Sequence, residues 1–94
     1  MDDPWDPVKA AANLRKHGVG FPEATTVADD EHRWVRDDDD HSIHERRYRV
    51  VGMSAKYRVL FVACTFPGGR IRPISARRAT KRERDEYWFR RHGA

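Results

Sequence analysis

The 94-residue sequence has one cysteine, no long apolar stretch and, in its second half, few acidic residues. Cys64 cannot form a disulfide within the chain, which favours a reducing compartment. It lies in the apolar segment 59–64, and we interpret it as a small buried apolar residue rather than a catalytic thiol. The N-terminus has no basic-then-apolar signal, and no segment is long enough to span a bilayer. We therefore expect a soluble, cytoplasmic protein with no membrane contact.

The charges are distributed unevenly along the chain. Residues 1–45 carry five Lys or Arg against twelve Asp or Glu, a net charge of −7, whereas residues 46–94 carry fourteen against three, a net charge of +11. A charge asymmetry of this size indicates an anionic partner for the second half of the chain, most often nucleic acid. The alternative is that the acidic and basic halves neutralise each other within the fold.

The first part of the chain has the signals of two helices. Asp6 and Pro7 are typical of a helix start, and Gly18 is typical of a helix end. Between them, the expected packing stripe is Val8, Ala11, Ala12 and the stem of Arg15, with Leu14 beside it. Residues 21–24 predict a second, very short helical turn, and residues 25–27 an edge strand.

The rest of the chain predicts strands followed by a helix. Residues 32–35, 46–53, 58–66 and 70–77 are the expected strands, with an acidic loop at 37–40 and a hairpin turn at 67–69. The 58–66 segment is the most apolar and is expected to be central. Thr80 and Glu83 have the spacing of a capping box, which predicts a helix over 81–90 with Tyr87 and Trp88 packing. The length suffices for one domain. We therefore expect an α+β fold: an antiparallel sheet of three to five strands, with N-terminal helices and a C-terminal helix.

Several motifs, in order, carry a resemblance to a known family. They are W-D-P-x-K-A-A-A-N-L-R-K-H-G-V at 5–19, F-x-E-A at 21–24, D-H-S-x-x-E-x-R at 40–47, V-G-M-S at 51–54 and R-I-R-x-I-S-A-R-R-A-T-x-x-E at 70–83. Together they resemble the BrnT toxins of type II toxin–antitoxin operons. One departure is Pro73 in the arginine-rich strand, because proline in a sheet favours an edge or a bulge.

The resemblance implies a single BrnT-like toxin domain over residues 1–94, related in fold to RelE-like toxins. It also implies a ribonuclease that cuts RNA without a metal ion or other cofactor. The implied partner is a BrnA-like antitoxin with a DNA-binding region, so operator DNA is contacted only through the toxin–antitoxin complex.

RNA cleavage without metal requires a base for the 2′-hydroxyl, stabilisation of the pentacovalent phosphate and an acid for the leaving group. Arg77 is the first candidate for phosphate stabilisation, because guanidinium offers fixed, bidentate donors. Arg47 and Arg58 flank neighbouring strands, and we expect them to converge with Arg77. For Arg47 and Arg58, the alternative is a solvated surface position.

The remaining candidates are acid–base groups and RNA contacts. Lys16 and His17, at the end of the first helix, are both catalytic candidates. His17 is a candidate acid or base because imidazole exchanges a proton near neutral pH, and its alternative is a helix cap. Glu45 is a candidate base, with pairing to Arg46 or Arg47 as its alternative. The candidate RNA-binding residues are Trp5, whose alternative is a core anchor, Arg72, and Arg78, whose alternative is a salt bridge to Glu83 or Asp85.

Two questions stay open at this level. One segment of the sequence has the residue types of a metal site: Asp40, His41, His44 and Glu45. The alternative is a loop that binds no metal, and we favour this alternative. The same basic surface also suits a non-catalytic nucleic-acid-binding module or a protein-docking module.

Overall fold

The computed structural model describes residues 4–93, which form helices at both ends of the chain and a sheet between them. In chain order the elements are α1 (Pro7–His17), α2 (Phe21–Thr25), β1 (Trp34–Asp37), β2 (Tyr48–Met53), β3 (Val59–Thr65), β4 (Arg72–Arg78) and α3 (Lys81–His92). Short 3-10 turns lie at Thr26–Asp29, Asp39–His41 and Pro67–Gly69. This arrangement confirms the predicted α+β class. Within the described residues, no helix is both long and apolar enough to cross a membrane.

The strands form one antiparallel sheet in the order β1-β2-β3-β4, so that neighbours along the chain are also neighbours in the sheet. Strand β3 lies in the interior of this sheet, as predicted. Leu60 and Val62 lie with Val19 and with Ala24 of α2 in one buried cluster, whereas Val59 and Phe61 lie with Tyr87 of α3 in a second cluster. The sheet is therefore buried by helices on both faces, but α3 covers only part of its face.

Helix α1 begins and ends where predicted, but it turns an unexpected face to the sheet. The Asp6 carboxylate accepts a hydrogen bond from the Val8 N–H at 2.8 Å, and Gly18 ends the helix with a left-handed φ of 68°. The predicted packing stripe is wrong, because Val8 is 74% and Leu14 54% exposed.

The buried residue of α1 is Asn13, which binds the outer edge of β4. Its amide nitrogen donates to the Ala76 and Val19 carbonyls, each at 2.9 Å, and its amide oxygen accepts from the Ala76 N–H at 3.1 Å. Asn13 thus satisfies both backbone groups of an edge residue, as a further strand would. This side-chain bridge fixes the rotation of α1.

The region of residues 25–27 is helical, so the edge strand predicted there is wrong. The Thr25 hydroxyl donates to the Pro22 carbonyl at 2.7 Å, and the Thr26 hydroxyl donates to the Glu23 carbonyl at 2.6 Å. Threonine side chains that bond to the preceding turn satisfy helix-end carbonyls. The β propensity of these two threonines is therefore overridden locally.

Strand β4 contains an irregularity at Pro73, where one was expected. Ala63 lies opposite Ser75 and Cys64 lies opposite Pro73, so Ile74 is an extra residue in β4. Proline has no N–H to donate and is tolerated at bulges and edge strands. The bulge lies at the end of the sheet that α3 leaves uncovered.

Helix α3 begins with the predicted capping box and extends to His92. Thr80 and Glu83 each accept a hydrogen bond from the other's backbone N–H, at 3.2 and 2.8 Å. Tyr87 is fully buried, and its hydroxyl donates to Asp30 at 2.6 Å. Trp88 packs edge-to-face on Tyr87 but stays 38% exposed. The packing contact of α3 is thus concentrated in Tyr87.

Candidate functional site

The part of the sheet that α3 leaves uncovered carries arginines from three strands. Arg36 on β1 lies opposite Arg49 on β2, and Phe61 on β3 lies opposite Arg77 on β4. Residues directly opposite each other in a sheet have Cβ atoms about 4.5–5.5 Å apart, so these side chains form one surface. We call it the arginine face and define it by Arg36, Arg47, Arg49, Arg77, Phe61, Ala63 and Ser75.

Arg77 is held in one orientation on this face. Its guanidinium carbon lies 4.2 Å from the centroid of the Phe61 ring, and its two terminal nitrogens donate to the Glu83 carboxylate at 2.8 and 3.1 Å. Burial alone would raise the pKa of Glu83, but the hydrogen bonds from Arg77 and the Thr80 N–H outweigh it and hold the pKa below its usual value. The salt bridge expected between Arg78 and Glu83 is therefore made by Arg77.

Arg36, near α3, is also held between an aromatic ring and a carboxylate. Its guanidinium carbon lies 4.3 Å from the centroid of the Trp34 ring, and it donates to the Glu86 carboxylate at 2.5 Å. Glu86 also accepts from Arg90 at 3.1 Å. Carboxylates of α3 thus hold two arginines of the sheet, each stacked on an aromatic ring.

A groove of about 380 Å³ is lined by Phe61, the ring on which Arg77 stacks, and lies on the side away from α3. Its walls include Arg47, Arg49, Phe61, Ser75 and His41 of the β1–β2 connection. The volume falls within the roughly 300–1,000 Å³ of small-ligand sites. In the described part of the chain, the guanidinium groups of Arg47 and Arg49 have no carboxylate partner, although Arg49 donates to the Asp37 carbonyl at 3.2 Å. Asp38 and Asp40 also line the groove, which therefore places two arginines opposite an acidic loop, with an apolar wall at Phe61 and Ala63.

Several predicted site residues meet next to this groove. Arg47 also lines a second cavity together with Trp5, Glu45 and Arg72. Glu45 accepts a hydrogen bond from Arg72 rather than from the arginines that follow it in the chain. Trp5 packs edge-to-face on Phe21 at 5.9 Å, so it anchors α2 as well as lining the cavity. The structure thus brings Trp5, Glu45, Arg47 and Arg72 together.

Arg58 does not converge with Arg77, so this part of the expected site is wrong. Its guanidinium binds both carboxylate oxygens of Glu23 in α2, one of them at 2.9 Å from Nε, and also donates to the Gly18 carbonyl at 3.2 Å. The Ser54 hydroxyl donates to the same carboxylate at 2.7 Å. The hydrogen bonds from Arg58 lower the pKa of Glu23 and outweigh the effect of burial. Arg58 is therefore placed to connect α2 with the β2–β3 turn.

The other predicted site residues lie with Arg58, away from the groove. Lys16 and His17 end α1 directly before Gly18, whose carbonyl binds Arg58. By strand alternation Arg78 is on the sheet face opposite Arg77, and it lines a cavity beside α3 together with Arg58. The structure therefore places Trp5, Glu45, Arg47 and Arg72 near the start of β4, and Lys16, His17, Arg58 and Arg78 near its end, while Arg77 lies on the arginine face.

Sequence reasoning missed Arg36, Arg49, Glu83 and His41 as members or neighbours of the arginine face. The signal for Arg49 was present, because alternation in a strand puts positions 47 and 49 on one side. Arg36 and Glu83 are recognisable only through contacts across 50 and 6 residues of sequence. His41 was considered only as part of a metal site.

Within residues 4–93, no group of three or more His, Cys, Asp or Glu side chains is arranged to hold a metal ion. Cys64 is buried in the core, as predicted, and burial raises the pKa of its thiol to about 12. A thiol with this pKa stays protonated at neutral pH and is a poor nucleophile.

Comparison with known proteins gives one family. The family model described as the ribonuclease toxin BrnT of type II toxin–antitoxin systems matches residues 5–83. This range includes the whole sheet and the first turn of α3. A search of curated proteins gives no match to the chain.

Proposed function

The chain belongs to the BrnT family of ribonuclease toxins of type II toxin–antitoxin systems, and from this premise we propose that it is a metal-independent endoribonuclease. RNA binds to the arginine face, and the chain is cut beside Arg77. Residues 1–94 act as one toxin domain in the cytoplasm.

The observation that carries this proposal is the fixed orientation of Arg77. Its guanidinium is stacked on Phe61 and bound by Glu83, so its position is set before any ligand arrives. Cleavage through the 2′-oxygen develops negative charge on the non-bridging phosphate oxygens, and preorganised donors stabilise such charge best. Arg77 is 36% exposed, which leaves part of the guanidinium accessible to phosphate.

The groove supports the binding of a nucleotide next to that phosphate. Arg47 and Arg49 attract the RNA backbone, and Phe61 gives a flat apolar surface for a base or ribose. Trp5, Glu45 and Arg72 border the adjoining cavity and extend the contact to a neighbouring nucleotide. Lys16, His17, Arg58 and Arg78 lie away from this path and have no role in it.

A toxin of a type II system has a protein antitoxin. We propose that the antitoxin is BrnA-like, covers the arginine face and carries a DNA-binding region, so that operator DNA is bound only by the complex. The guanidinium groups of Arg47 and Arg49, which have no carboxylate partner in the described residues, suit acidic side chains of such a partner. Co-expression with the product of a small adjacent reading frame should restore growth, and failure of the two chains to co-purify would contradict the proposal.

The test of the enzyme is RNA cleavage by purified protein in excess EDTA. We expect cleavage by the wild type and a loss of about 100-fold or more in Arg77→Ala, as for removal of one transition-state donor. Arg78→Ala is the matched comparison, because it removes a neighbouring arginine from the opposite face, and its loss should be much smaller. Thermal unfolding of both variants checks that they are folded.

Two results would contradict the proposal. RNA that is bound but stays intact at high protein concentration would indicate a non-catalytic binding module on the same surface. Cleavage that EDTA abolishes and added divalent cations restore would indicate a metal-dependent enzyme.

A further inference from the structure

The connection between β1 and β2 is fixed in one conformation by its own backbone and one serine. The Asp38 N–H donates to the Arg47 carbonyl at 2.9 Å. The Ser42 hydroxyl donates to the Asp38 carbonyl at 2.8 Å and accepts from the Arg47 N–H at 2.9 Å. The His41 N–H donates to the Asp38 carbonyl at 3.2 Å and closes a 3-10 turn. Residues 38 and 41 are therefore held next to each other.

Within this turn, a carboxylate orients an imidazole. His41 Nδ1 lies 3.0 Å from both carboxylate oxygens of Asp38. The Asp38 side chain is 16% exposed, whereas that of His41 is 65% exposed. A carboxylate at Nδ1 favours the tautomer with its proton on Nδ1, which leaves Nε2 as a proton acceptor. In residues 4–93, Nε2 of His41 has no hydrogen-bond partner.

The same imidazole borders the groove of the arginine face. Asp38, Asp40 and His41 form one wall, and Arg47 and Arg49 lie beside them. Phe61, Ile74 and Ser75 belong to the sheet side of the groove. A phosphate bound by the arginines would therefore have an oriented imidazole at its side, which supplies the phosphate stabilisation and the base that RNA cleavage through the 2′-oxygen requires.

We propose that His41 is the general base of RNA cleavage and that Asp38 is its positioning residue; this inference rests on the proposed ribonuclease function. Nε2 of His41 takes the proton of the 2′-hydroxyl, and the 2′-oxygen forms a bond to phosphorus. The bond from phosphorus to the 5′-oxygen breaks, its electron pair stays on that oxygen, and a solvent proton neutralises it. His41 then returns its proton to solvent. The products are a 2′,3′-cyclic phosphate and a 5′-hydroxyl.

The first test is the kinetics of His41→Ala with an RNA oligonucleotide in EDTA. Loss of a general base should lower kcat by about 100- to 10,000-fold. KM should change little, because the arginines that bind the phosphate remain. Asp38→Asn should lower kcat with the same small effect on KM, because an amide orients the imidazole less well. His44→Ala, an exposed histidine of the same connection, is the matched control and should retain wild-type kcat.

The second test separates catalysis from a structural role of His41. Free imidazole added to His41→Ala should restore part of kcat, and it should not affect Arg77→Ala. The wild-type product should carry a 2′,3′-cyclic phosphate, and RNA with 2′-deoxyribose at the cleaved position should stay intact.

The inference is overturned if His41→Ala retains kcat within a few-fold of the wild type, or if its activity is lost and imidazole restores none. It is also overturned if the 2′-deoxy substrate is cut. These outcomes leave the ribonuclease proposal standing, provided that the wild type cuts RNA in EDTA and Arg77→Ala does not. If the wild type leaves RNA intact, the proposed function fails, and the inference fails with it.

Discussion

Replacing Arg58 by alanine should destabilise the protein, although Arg58 is remote from the arginine face. The side chain of Glu23 is 3% exposed and that of Arg58 is 23% exposed, so the substitution leaves a buried carboxylate without its cationic partner. Breaking a fully buried pair costs about 3–5 kcal/mol. Because Arg58 reaches solvent and Ser54 still donates to Glu23, we expect a loss of about 2–3 kcal/mol in the free energy of unfolding.

Urea unfolding at pH 7, followed by tryptophan fluorescence, measures this loss. In a domain of this size it corresponds to a fall of roughly 10–20 °C in Tm. Lys81→Ala is the control, because its ion pair with Asp85 is exposed and contributes no more than about 0.5 kcal/mol. Below its Tm, Arg58→Ala should cut RNA at the wild-type rate. A fully stable but inactive Arg58→Ala would refute the structural assignment and return Arg58 to the catalytic site.

The pH dependence of the loss gives a second check. Hydrogen bonds from Arg58 lower the pKa of Glu23 in the folded protein, so the pair stabilises the fold above the ordinary value of 4.5, and this contribution is lost as the pH falls through the lowered pKa. In Arg58→Ala, burial raises the pKa of Glu23 without the opposing hydrogen bonds from Arg58. The stability difference between wild type and variant should therefore be largest above about pH 5 and shrink in acid. A difference that is equal at pH 3.5 and pH 7 would contradict an electrostatic origin.

Two further predictions concern the core and the sheet edge. Asn13→Ala should lower the free energy of unfolding by about 2–3 kcal/mol, because it leaves the Ala76 N–H and carbonyl without their partner; a loss below 1 kcal/mol in urea unfolding would contradict this. Cys64 should not react with a thiol reagent at pH 8 in the native protein, since its thiol is buried and has a pKa of about 12. It should react fully in urea, and fast labelling of the native state would show that the core opens.

The parts of the fold that were predicted correctly have local causes. The capping residues Asp6, Gly18 and Thr80 fix helix ends through bonds to their own helix. The apolar run of β3 and the turn at Pro67–Gly69 specify an interior strand and its return. Such signals are contained within a few residues of sequence, so they can be read without knowing the tertiary structure.

The packing of α1 could not be predicted, because its cause is not local. Val8 and Leu14 are the large apolar residues of this helix, yet Asn13 is the one that is buried. Its amide is satisfied by Ala76, 63 residues further along the chain. A polar residue that binds an edge strand looks, in sequence, like a solvent-facing position.

The roles of the arginines were also hard to predict from sequence, because they depend on partners that are distant in the chain. Arg58 is neutralised by Glu23, across 35 residues, and Arg72 by Glu45, across 27. These pairs join the acidic first half of the chain to the basic second half, so part of the charge polarity is internal to the fold. The alternative interpretation, in which acidic and basic halves of the chain neutralise each other within the fold, therefore holds for these two pairs.

Another part of the positive charge lies on the arginine face. Arg77 and Arg36 have carboxylate partners, but these belong to α3 and hold each guanidinium against an aromatic ring of the sheet. Arg47 and Arg49 line the groove with no carboxylate partner within the described residues. Two arginines are thus fixed in orientation, and two are open to an anion beside them. A surface that only stabilised the fold would gain nothing from leaving Arg47 and Arg49 without a carboxylate partner next to a groove, because like charges at close range repel.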